Sequence, residues 1–273
     1  MTSPLLDMCS AWPFSEHLFV VALITGVHGG LQWLFCFFFI ALDCLGWCKQ
    51  YKLPREKSYM DPLLPQNIAL DHTAFWEQIV GTCLGVPLFA WGLYPAMKMR
   101  GCAICVGDGH ISLLHLIYEV GIMIIGCDFL FYWIHRALHL PLFYKHIHRR
   151  HHEYKASNIW ASGYFSIPDL ILNILPGILP GLLIGADLSS LLVFTALREW
   201  QSIQSHAGYD LPWDLCNRGP FVGGARRHDF HHSHNVGCYG DWFPWWDYIC
   251  GTDVAYQKYY SQGRKSPKPV KLS

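Results

Sequence analysis

Histidines gathered in three short clusters are the residues of this sequence best suited to chemistry. Eleven of the sixteen histidines lie between His135 and His234. Nine of these eleven belong to the segments HRALH, HRRHH and HDFHH or are His206, which lies between the last two segments. On a helix, positions i, i+3 and i+4 share one face, so each cluster can direct two or three imidazoles the same way. Protonated imidazoles this close together would repel one another, whereas neutral imidazole is a common metal ligand. The pattern predicts nine metal ligands: His135, His139, His148, His151, His152, His206, His228, His231 and His232.

The number of predicted ligands favours two metal ions. A catalytic zinc site uses about three protein ligands and leaves one position open, so nine imidazoles exceed what one zinc ion needs. They suit two ions with about four or five imidazoles each, leaving positions where a small molecule such as dioxygen can bind. Imidazole accepts zinc, copper, iron and nickel alike, so the ligand type does not choose the metal. His234, three residues after His231, is a tenth candidate ligand, whereas His146 falls outside the pattern.

Acidic and aromatic residues near the clusters are candidates for supporting roles. Metal-bound imidazoles usually donate their other N–H to a carboxylate or a carbonyl, so nearby acids are expected to orient ligands rather than to act as catalysts. The acidic candidates are Asp128, Glu199, Asp210 and Asp229. For Asp128, which lies in an apolar stretch, an interfacial ion pair is the alternative. The aromatic residues expected to line a substrate cavity, or else to anchor the chain at the membrane interface, are Trp160, Tyr164, Phe165, Trp242 and Trp245.

Apolar helices must position these side chains. Hydrophobic residues make up 52% of the chain and charged residues 15%, a balance typical of lipid contact. The stretches 17–47, 75–97 and 111–139 are each long enough to span a membrane, for which about 20 residues suffice. Residues 170–200 are interrupted by Pro176, Pro180 and Gly185, which predicts a helical hairpin. The expected fold is all-α: an integral membrane helical bundle with a cytosolic histidine-rich helical cap. Its parts are a membrane region (1–110), a catalytic region (111–256) and a flexible cytosolic tail (257–273).

Basic residues predict the orientation of the spans. Residues 1–16 contain no Lys or Arg, whereas the segment after the first span carries Lys49, Lys52, Arg55 and Lys57. Because Lys and Arg favour the cytosolic side, the N-terminus is expected in the lumen. Three crossings then place the histidine-rich cap in the cytosol. Lys98 and Arg100, in the predicted lumenal loop, oppose this orientation.

Charge and cysteine usage restrict the remaining classes of function. The net charge is zero, so nucleic-acid binding has no electrostatic basis. The eleven cysteines are scattered singly, which argues against a disulfide framework. Cys102 and Cys105 have CxxC spacing, a weak signal for a redox or metal site without a second pair.

The motifs resemble those of the fatty acid hydroxylase superfamily of membrane di-iron oxygenases. The matching segments are DFLFYWIHRALH (128–139), YKHIHRRHHE (144–153), HAGYDLP (206–212) and HDFHH (228–232), followed by WD at 246 and GTD at 251. The resemblance covers about residues 115–256 and implies two iron ions, O2 and an endoplasmic reticulum membrane. It also implies electrons from NADPH or NADH through cytochrome b5 and its reductase. The segments HAGYDLPW and WWDYICGTDVAY resemble the methylsterol oxidases of the sterol branch, whereas HHSH at 231 resembles the cholesterol 25-hydroxylase side.

The resemblance implies that oxygen is inserted into an unactivated C–H bond of a sterol, most closely the C-4 methyl group of a methylsterol. Side-chain hydroxylation of the cholesterol 25-hydroxylase kind, another lipid hydroxylation and desaturation stay open as alternatives. A membrane metal transporter is disfavoured because the predicted ligands cluster on one side of the membrane rather than across it. A zinc hydrolase is disfavoured because the sequence contains no HExxH motif.

Overall fold

The fold is all-α, as predicted. The computed structural model describes residues 4–54, 65–104, 112–217 and 223–261, and no strand forms within these ranges. The predicted basic residues Arg55 and Lys57, Cys105 of the CxxC pair, and residues 262–273 of the tail lie outside them. The helices are α1 (Pro4–Ala11), α2 (Glu16–Leu45), α3 (Pro65–Val80), α4 (Val86–Met99), α5 (Leu113–Leu138), α6 (Ile167–Ile184), α7 (Leu188–His206), α8 (Gly224–His234), α9 (Trp245–Cys250) and α10 (Val254–Ser261).

Within the described ranges, four helical stretches are long and apolar enough to cross a membrane: Glu16–Leu45, Gln66–Met99, Leu113–Leu138 and Ile167–Ile184. At most 28% of the most apolar window in each stretch is buried within the protein, as expected for helices whose outer faces meet lipid. In the second stretch a wide turn, Gly81–Gly85, joins α3 to α4 without a break. This stretch begins well before residue 75, where the sequence predicted it. Hydropathy did not detect the extension because its residues Gln66 to Thr73 are mostly polar.

The predicted hairpin is formed by α6 and α7. The chain turns at Gly185, whose φ of 68° is left-handed, so the break lies there and not at the two prolines. Pro176 and Pro180 instead lie inside α6, on its buried face. A side chain at Gly126 of α5 would come within 2.9 Å of Pro180, so α5 and α6 pack closely at this point. Close helix packing explains how α6 tolerates prolines that usually end helices in water.

Both ends of the hairpin are held by polar contacts. Its turn is beside the start of α5, where Nε2 of His115 is 3.2 Å from Asp187 and 3.3 Å from Glu119. Its far end, where α7 stops at His206, meets the segment after α2: the Leu53 N–H donates to Gly208 O at 2.9 Å. The C-terminal end of α2 and the histidines therefore lie at the same end of the bundle.

A C-terminal loop, residues 235–253, which includes the short helix α9, is held against α5 and α7 by hydrogen bonds and an ion pair. Asp128 of α5 accepts hydrogen bonds from the backbone N–H groups of Trp242 and Phe243, at 2.9 and 3.0 Å. Within the loop, Asp247 accepts the N–H of Tyr239 at 2.9 Å. Arg198 of α7 forms an ion pair with Asp241. These contacts fix the carbonyl groups of the loop relative to the histidine-bearing helices. Helix α10 continues to Ser261, past residue 257, where the flexible tail was predicted to begin.

Candidate metal centre

All nine predicted ligands come together in two adjacent groups at one end of the bundle. Within each group, one ring nitrogen from every histidine lies within 4.8 Å of the others. The five-histidine group consists of His135, His139, His148, His152 and His231. The four-histidine group consists of His151, His206, His228 and His232.

Each HxxHH motif is divided between the two groups, which corrects the expectation that its three imidazoles act in one direction. His148 and His152, four residues apart, belong to the five-histidine group, whereas His151 belongs to the other. In α8 the division is reversed, because His231 joins the five-histidine group and leaves His228 and His232 in the four-histidine group. The segment around the first motif is also not a regular α-helix: a wide turn (Tyr144–His148) is followed by a tight 3₁₀ turn (His151–Glu153). Both motifs therefore contribute to both groups and hold them side by side.

Hydrogen bonds to the protein fix which ring nitrogen faces the centre. A carbonyl oxygen only accepts hydrogen bonds, so an Nδ1 atom that is bonded to a carbonyl must carry the proton. The Nε2 atom is then unprotonated, and its lone pair can bind a metal ion. His231 donates from Nδ1 to Gly237 O at 2.7 Å, and His206 to Ser202 O at 2.7 Å. The other Nδ1–carbonyl pairs are His135 with Tyr239, His151 with Tyr164, and His232 with Tyr154, at 3.0–3.2 Å.

The arrangement of the free nitrogens fits bound metal ions. The Nε2 atoms of His148 and His231 each lie 3.1 Å from that of His152, and those of His206 and His228 are 2.9 Å apart. Two ligands at right angles on one ion, each at about 2.1 Å, are separated by about 3 Å. Lone pairs facing each other at this distance would repel without a cation. The Nε2 atom of His139 is buried and has no hydrogen-bond partner among the described residues, as expected of a metal ligand.

The electrostatic environment keeps these imidazoles neutral. Burial lowers the pKa of His151, His152 and His232 well below the ordinary value, and the neighbouring imidazoles lower it further. The same causes, opposed by the Gly237 carbonyl, lower the pKa of His231 to about 3. Neutral imidazoles are the form that binds metal ions. His206, the last residue of α7, also sits where the helix dipole favours a cation.

Among the described residues, one carboxylate contacts a candidate ligand directly, and the sequence did not predict it. Asp169, in the first turn of α6, is fully buried, and its Oδ2 accepts from His148 Nδ1 at 2.8 Å. Its other oxygen accepts from Asn173 at 2.9 Å. Asp169 is the only charged residue of α6, and an ionisable residue in an apolar span is a recognised sign of function. That signal could have identified it.

The acids expected beside the ligands are elsewhere or make other contacts. Asp128 holds the C-terminal loop, as described above. Glu199 lies seven residues, about two helical turns, before His206, and it pairs with His28 of α2 at 2.8 Å. Asp210 forms an ion pair with Arg226. Asp229 lies on α8, where its carbonyl accepts from Ser233 at 2.8 Å.

The aromatic residues expected at a substrate cavity lie at different distances from the centre. Phe165 stacks on His151, with ring centroids 4.6 Å apart, and is the nearest of the five. Tyr164 provides the carbonyl that orients His151. The other three form part of the helix packing: Trp160 contacts Phe75 of α3, Trp242 is buried beside α5 and α7, and Trp245 stacks on Phe243.

The two remaining histidines near the clusters stay outside both groups. His234, the tenth candidate, stacks on Phe230 with ring centroids 4.2 Å apart, and its Nδ1 lies 3.0 Å from the Phe230 carbonyl. His146 is exposed. Cys102, of the CxxC pair, is a free buried thiol.

Comparison with known proteins identifies the family. A family model described as fatty acid hydroxylase matches residues 120–252. A methylsterol monooxygenase of Aspergillus fumigatus is 32% identical over 226 residues, covering 78% of this chain and 71% of that protein. A very-long-chain aldehyde decarbonylase of Oryza sativa subsp. indica is 30% identical over 222 residues, covering 80% of this chain and 79% of that protein. The chain belongs to the fatty acid hydroxylase family.

Other relatives match over a shorter region. Two proteins of Dictyostelium discoideum are 37% and 41% identical over 162 and 139 residues, which are 59% and 50% of this chain. The chain spans 58% and 51% of the length of these two relatives. No solved structure matches the chain.

Proposed function

We propose that this protein is a membrane monooxygenase that holds two iron ions and inserts oxygen from O2 into an unactivated C–H bond of a sterol. The target that the family resemblance favours is the C-4 methyl group of a methylsterol. The observation that carries the proposal is the pair of adjacent groups of five and four imidazoles with their free nitrogens directed inward. Relatives named methylsterol monooxygenase support the sterol as substrate class.

The chain's own residues would hold, orient and shield the metal ions. Iron bound there would supply the activation of O2, with one oxygen atom entering the substrate and the other leaving as water. The nine imidazoles are the ligands, Asp169 and five backbone carbonyls set the orientation of six of them, and burial excludes water. We propose that Phe165, which stacks on His151, contacts the substrate near the four-histidine group. The remaining predicted acids and aromatic residues would act through packing.

The membrane supplies a route for a lipid-soluble substrate. The histidine groups lie at the ends of α5 and α7, where apolar helices meet the cap. A sterol dissolved in the bilayer would reach them between spans without crossing water. Because each mostly apolar helix exposes large hydrophobic side chains, such as Leu88 (74% exposed) and Leu114 (77%), the bundle suits a bilayer environment.

We place the protein in the endoplasmic reticulum membrane, with the histidine cap in the cytosol, as the family resemblance implies. Lys49 and Lys52 follow α2 at the same end of the bundle as the histidines, in agreement with the positive-inside tendency. At the other end Cys9 is disulfide-bonded, which suits an oxidising lumen. The opposing basic residues have local roles there: Lys98 pairs with Glu16, and Arg100 donates to the carbonyls of Leu182 and Leu183. Electrons would come from NADPH or NADH through cytochrome b5 and its reductase.

Sterol profiling tests the proposal. Cells that lack their own methylsterol oxidase would express the wild type or His152→Ala and would be fed 4,4-dimethylsterol or cholesterol. The sterols that the cells contain would then be identified by mass spectrometry. Loss of 4-methyl groups with the wild type alone is the expected result. A side-chain hydroxysterol would assign the side-chain reaction instead and keep the metal centre. If the folded, iron-loaded protein produced no sterol product, the sterol assignment would be wrong, and long-chain aldehydes would be the next substrates, since a rice relative carries that name.

A further inference from the structure

A second group of candidate metal ligands lies at the end of the bundle opposite the nine histidines. It consists of His115 and Glu119, one turn apart on the same face of α5, and Asp187, in the turn between α6 and α7. One side-chain N or O atom of each residue lies within 4.8 Å of those of the other two. Glu119 and His135 are both on α5, so at about 1.5 Å of rise per residue the two sites are about 24 Å apart. The group is therefore separate from the two histidine groups.

Both carboxylates approach the same imidazole nitrogen. His115 Nε2 is 3.3 Å from Glu119 Oε1 and 3.2 Å from Asp187 Oδ2. One ring nitrogen carries at most one hydrogen, and both separations exceed the about 2.7–2.9 Å of a hydrogen bond from a charged N–H to a carboxylate. Two ligands at about 2.0 Å from a tetrahedral zinc ion are separated by about 3.3 Å. The two separations fit ligands of one cation better than a hydrogen-bonded ion pair.

The backbone of the hairpin turn holds the two carboxylates in this arrangement. Oε2 of the buried Glu119 accepts the Asp187 N–H at 3.2 Å, so that Oε1 is the oxygen beside His115. Asp187 is the N-cap residue of α7, a position where an Asp side chain usually accepts from the first turn of the helix. Its side chain makes no such hydrogen bond and instead approaches His115. Both carboxylates are therefore directed at the same point.

The two carboxylates lack a basic partner other than the imidazole. No Lys or Arg of the described ranges forms an ion pair with either of them. Arg100, whose backbone lies beside the hairpin turn, donates its guanidinium hydrogens to the carbonyls of Leu182 and Leu183. Burial and the charge of Glu119 raise the pKa of the Asp187 carboxyl. A divalent cation would balance both negative charges beside a neutral imidazole.

We infer that His115, Glu119 and Asp187 bind a zinc ion, with water as the fourth ligand. Zinc accepts His nitrogen together with carboxylate oxygen in four-coordinate sites, whereas magnesium and calcium prefer oxygen ligands. The ion joins the start of α5 to the turn of the hairpin. Because α5 and α7 carry metal-ligand histidines at their other ends, it fixes these two helices relative to each other from the opposite side of the bundle. The inference does not depend on the oxygenase function proposed above.

Zinc binding can be measured on the full-length, iron-loaded protein in detergent. Isothermal titration with zinc should show one equivalent bound, without release of iron as measured by mass spectrometry. Zinc should also raise the melting temperature. His115→Ala and Asp187→Asn should each weaken binding of this equivalent by at least about 100-fold, the upper end of what losing a residue that only orients a ligand costs. Both variants should also lose the effect of zinc on the melting temperature.

The difference between wild type and variant identifies the site, whatever metal the histidine groups hold. His17→Ala is the matched control, because His17 is on α2 at the same end of the bundle and its Nε2 lies 3.0 Å from the Trp91 carbonyl. It should bind zinc as the wild type does. The two test variants guard against misfolding, since the His115 side chain is 48% exposed and Asp187→Asn keeps the size of the side chain.

Two outcomes would overturn the inference. If the three residues form only an ion pair, the wild type will bind no added zinc, and His115→Ala will lower the melting temperature equally with and without zinc. If zinc uptake persists unchanged in both His115→Ala and Asp187→Asn, the ion binds elsewhere. Neither outcome involves sterol oxidation, so a failure of the oxygenase assignment would be recognised separately.

Discussion

Replacing Asp169 by Asn should weaken metal binding by about tenfold. The Asp169 carboxylate is fully buried and accepts from His148 Nδ1 at 2.8 Å. A hydrogen bond to a charged group contributes about 1.5–3 kcal/mol, against about 0.5–1.5 kcal/mol for a neutral pair. The amide oxygen of Asn can still accept the proton, so the expected loss is the difference, about 1–1.5 kcal/mol. Since about 1.4 kcal/mol is a factor of ten in affinity, the expected change is about tenfold.

Asp169→Ala should be more severe. It removes the acceptor and leaves the buried N–H of His148 unpaired, which costs about a further 1–3 kcal/mol. The combined loss of affinity is about 100-fold, at the upper end of what residues that orient metal ligands contribute. The ranking Asp, Asn, Ala is therefore the expected order of affinity.

Competition with a chelator would measure these affinities. Purified variants loaded with two equivalents of iron would be titrated with a chelator, and the iron retained would be measured by mass spectrometry. Asp214→Asn is the matched control, because Asp214 is a buried acid that accepts from Trp200 and the Cys216 N–H and has no hydrogen bond or ion pair with a described histidine. Wild-type iron retention in Asp169→Ala, with Asp214→Asn equally unaffected, would refute the role assigned to Asp169.

Three further predictions address the carbonyl supports, the excluded histidine and pH. Gly237→Ala should lower the melting temperature and the iron content, because Gly237 has a φ of 64° and a Cβ there would lie 2.1 Å from Thr252 O. The control Gly177→Ala should change neither quantity, because a Cβ at Gly177 would meet no atom within 4 Å. His234→Ala should keep full iron content, measured by mass spectrometry, since His234 lies outside both groups; loss of one equivalent would make it a ligand. Because burial lowers the pKa of His231 to about 3, the folded protein takes up fewer protons than the unfolded chain. The free energy of unfolding should therefore be constant above about pH 6.5 and fall as the pH decreases towards 3, by at most about 1.4 kcal/mol per pH unit for each such imidazole. A free energy of unfolding, measured by denaturant titration, that is unchanged from about pH 6.5 to about pH 4 would contradict this.

Local patterns in the sequence were sufficient to select the nine histidines that the structure brings together and to predict most of the helices. Hydropathy is summed over neighbouring residues, so the long apolar helices α2 and α5 were predicted from composition alone. The spacing of His135 and His139 likewise predicted two imidazoles on one face at the end of a span. The same reasoning failed for the start of the Gln66–Met99 stretch, because a polar extension of an apolar helix is stabilised by packing that hydropathy does not detect.

The hydrogen bonds and ion pairs of the acidic residues could not be predicted from the sequence, because they join residues that are distant in the chain. Glu199 was expected near a metal ligand and instead pairs with His28, 171 positions earlier. Asp128 was expected to orient a histidine and instead holds two N–H groups of the loop after α8. Only the packing of α2 against α7, and of that loop against α5, determines these partners.

The sequence by itself determined the candidate ligand set, because nine histidines in motifs with helical spacing would repel one another if protonated and suit metal ions when neutral. The tertiary structure alone decided how those histidines are divided. His148 and His152 face the five-histidine group while His151, between them, faces the four-histidine group, and α8 contributes in the opposite sense. The spacing of a motif specifies the directions of its histidines relative to one another around the helix axis. Which of the two histidine groups each side chain belongs to depends on the helix that packs against it. That helix is placed by long-range contacts which no local pattern encodes.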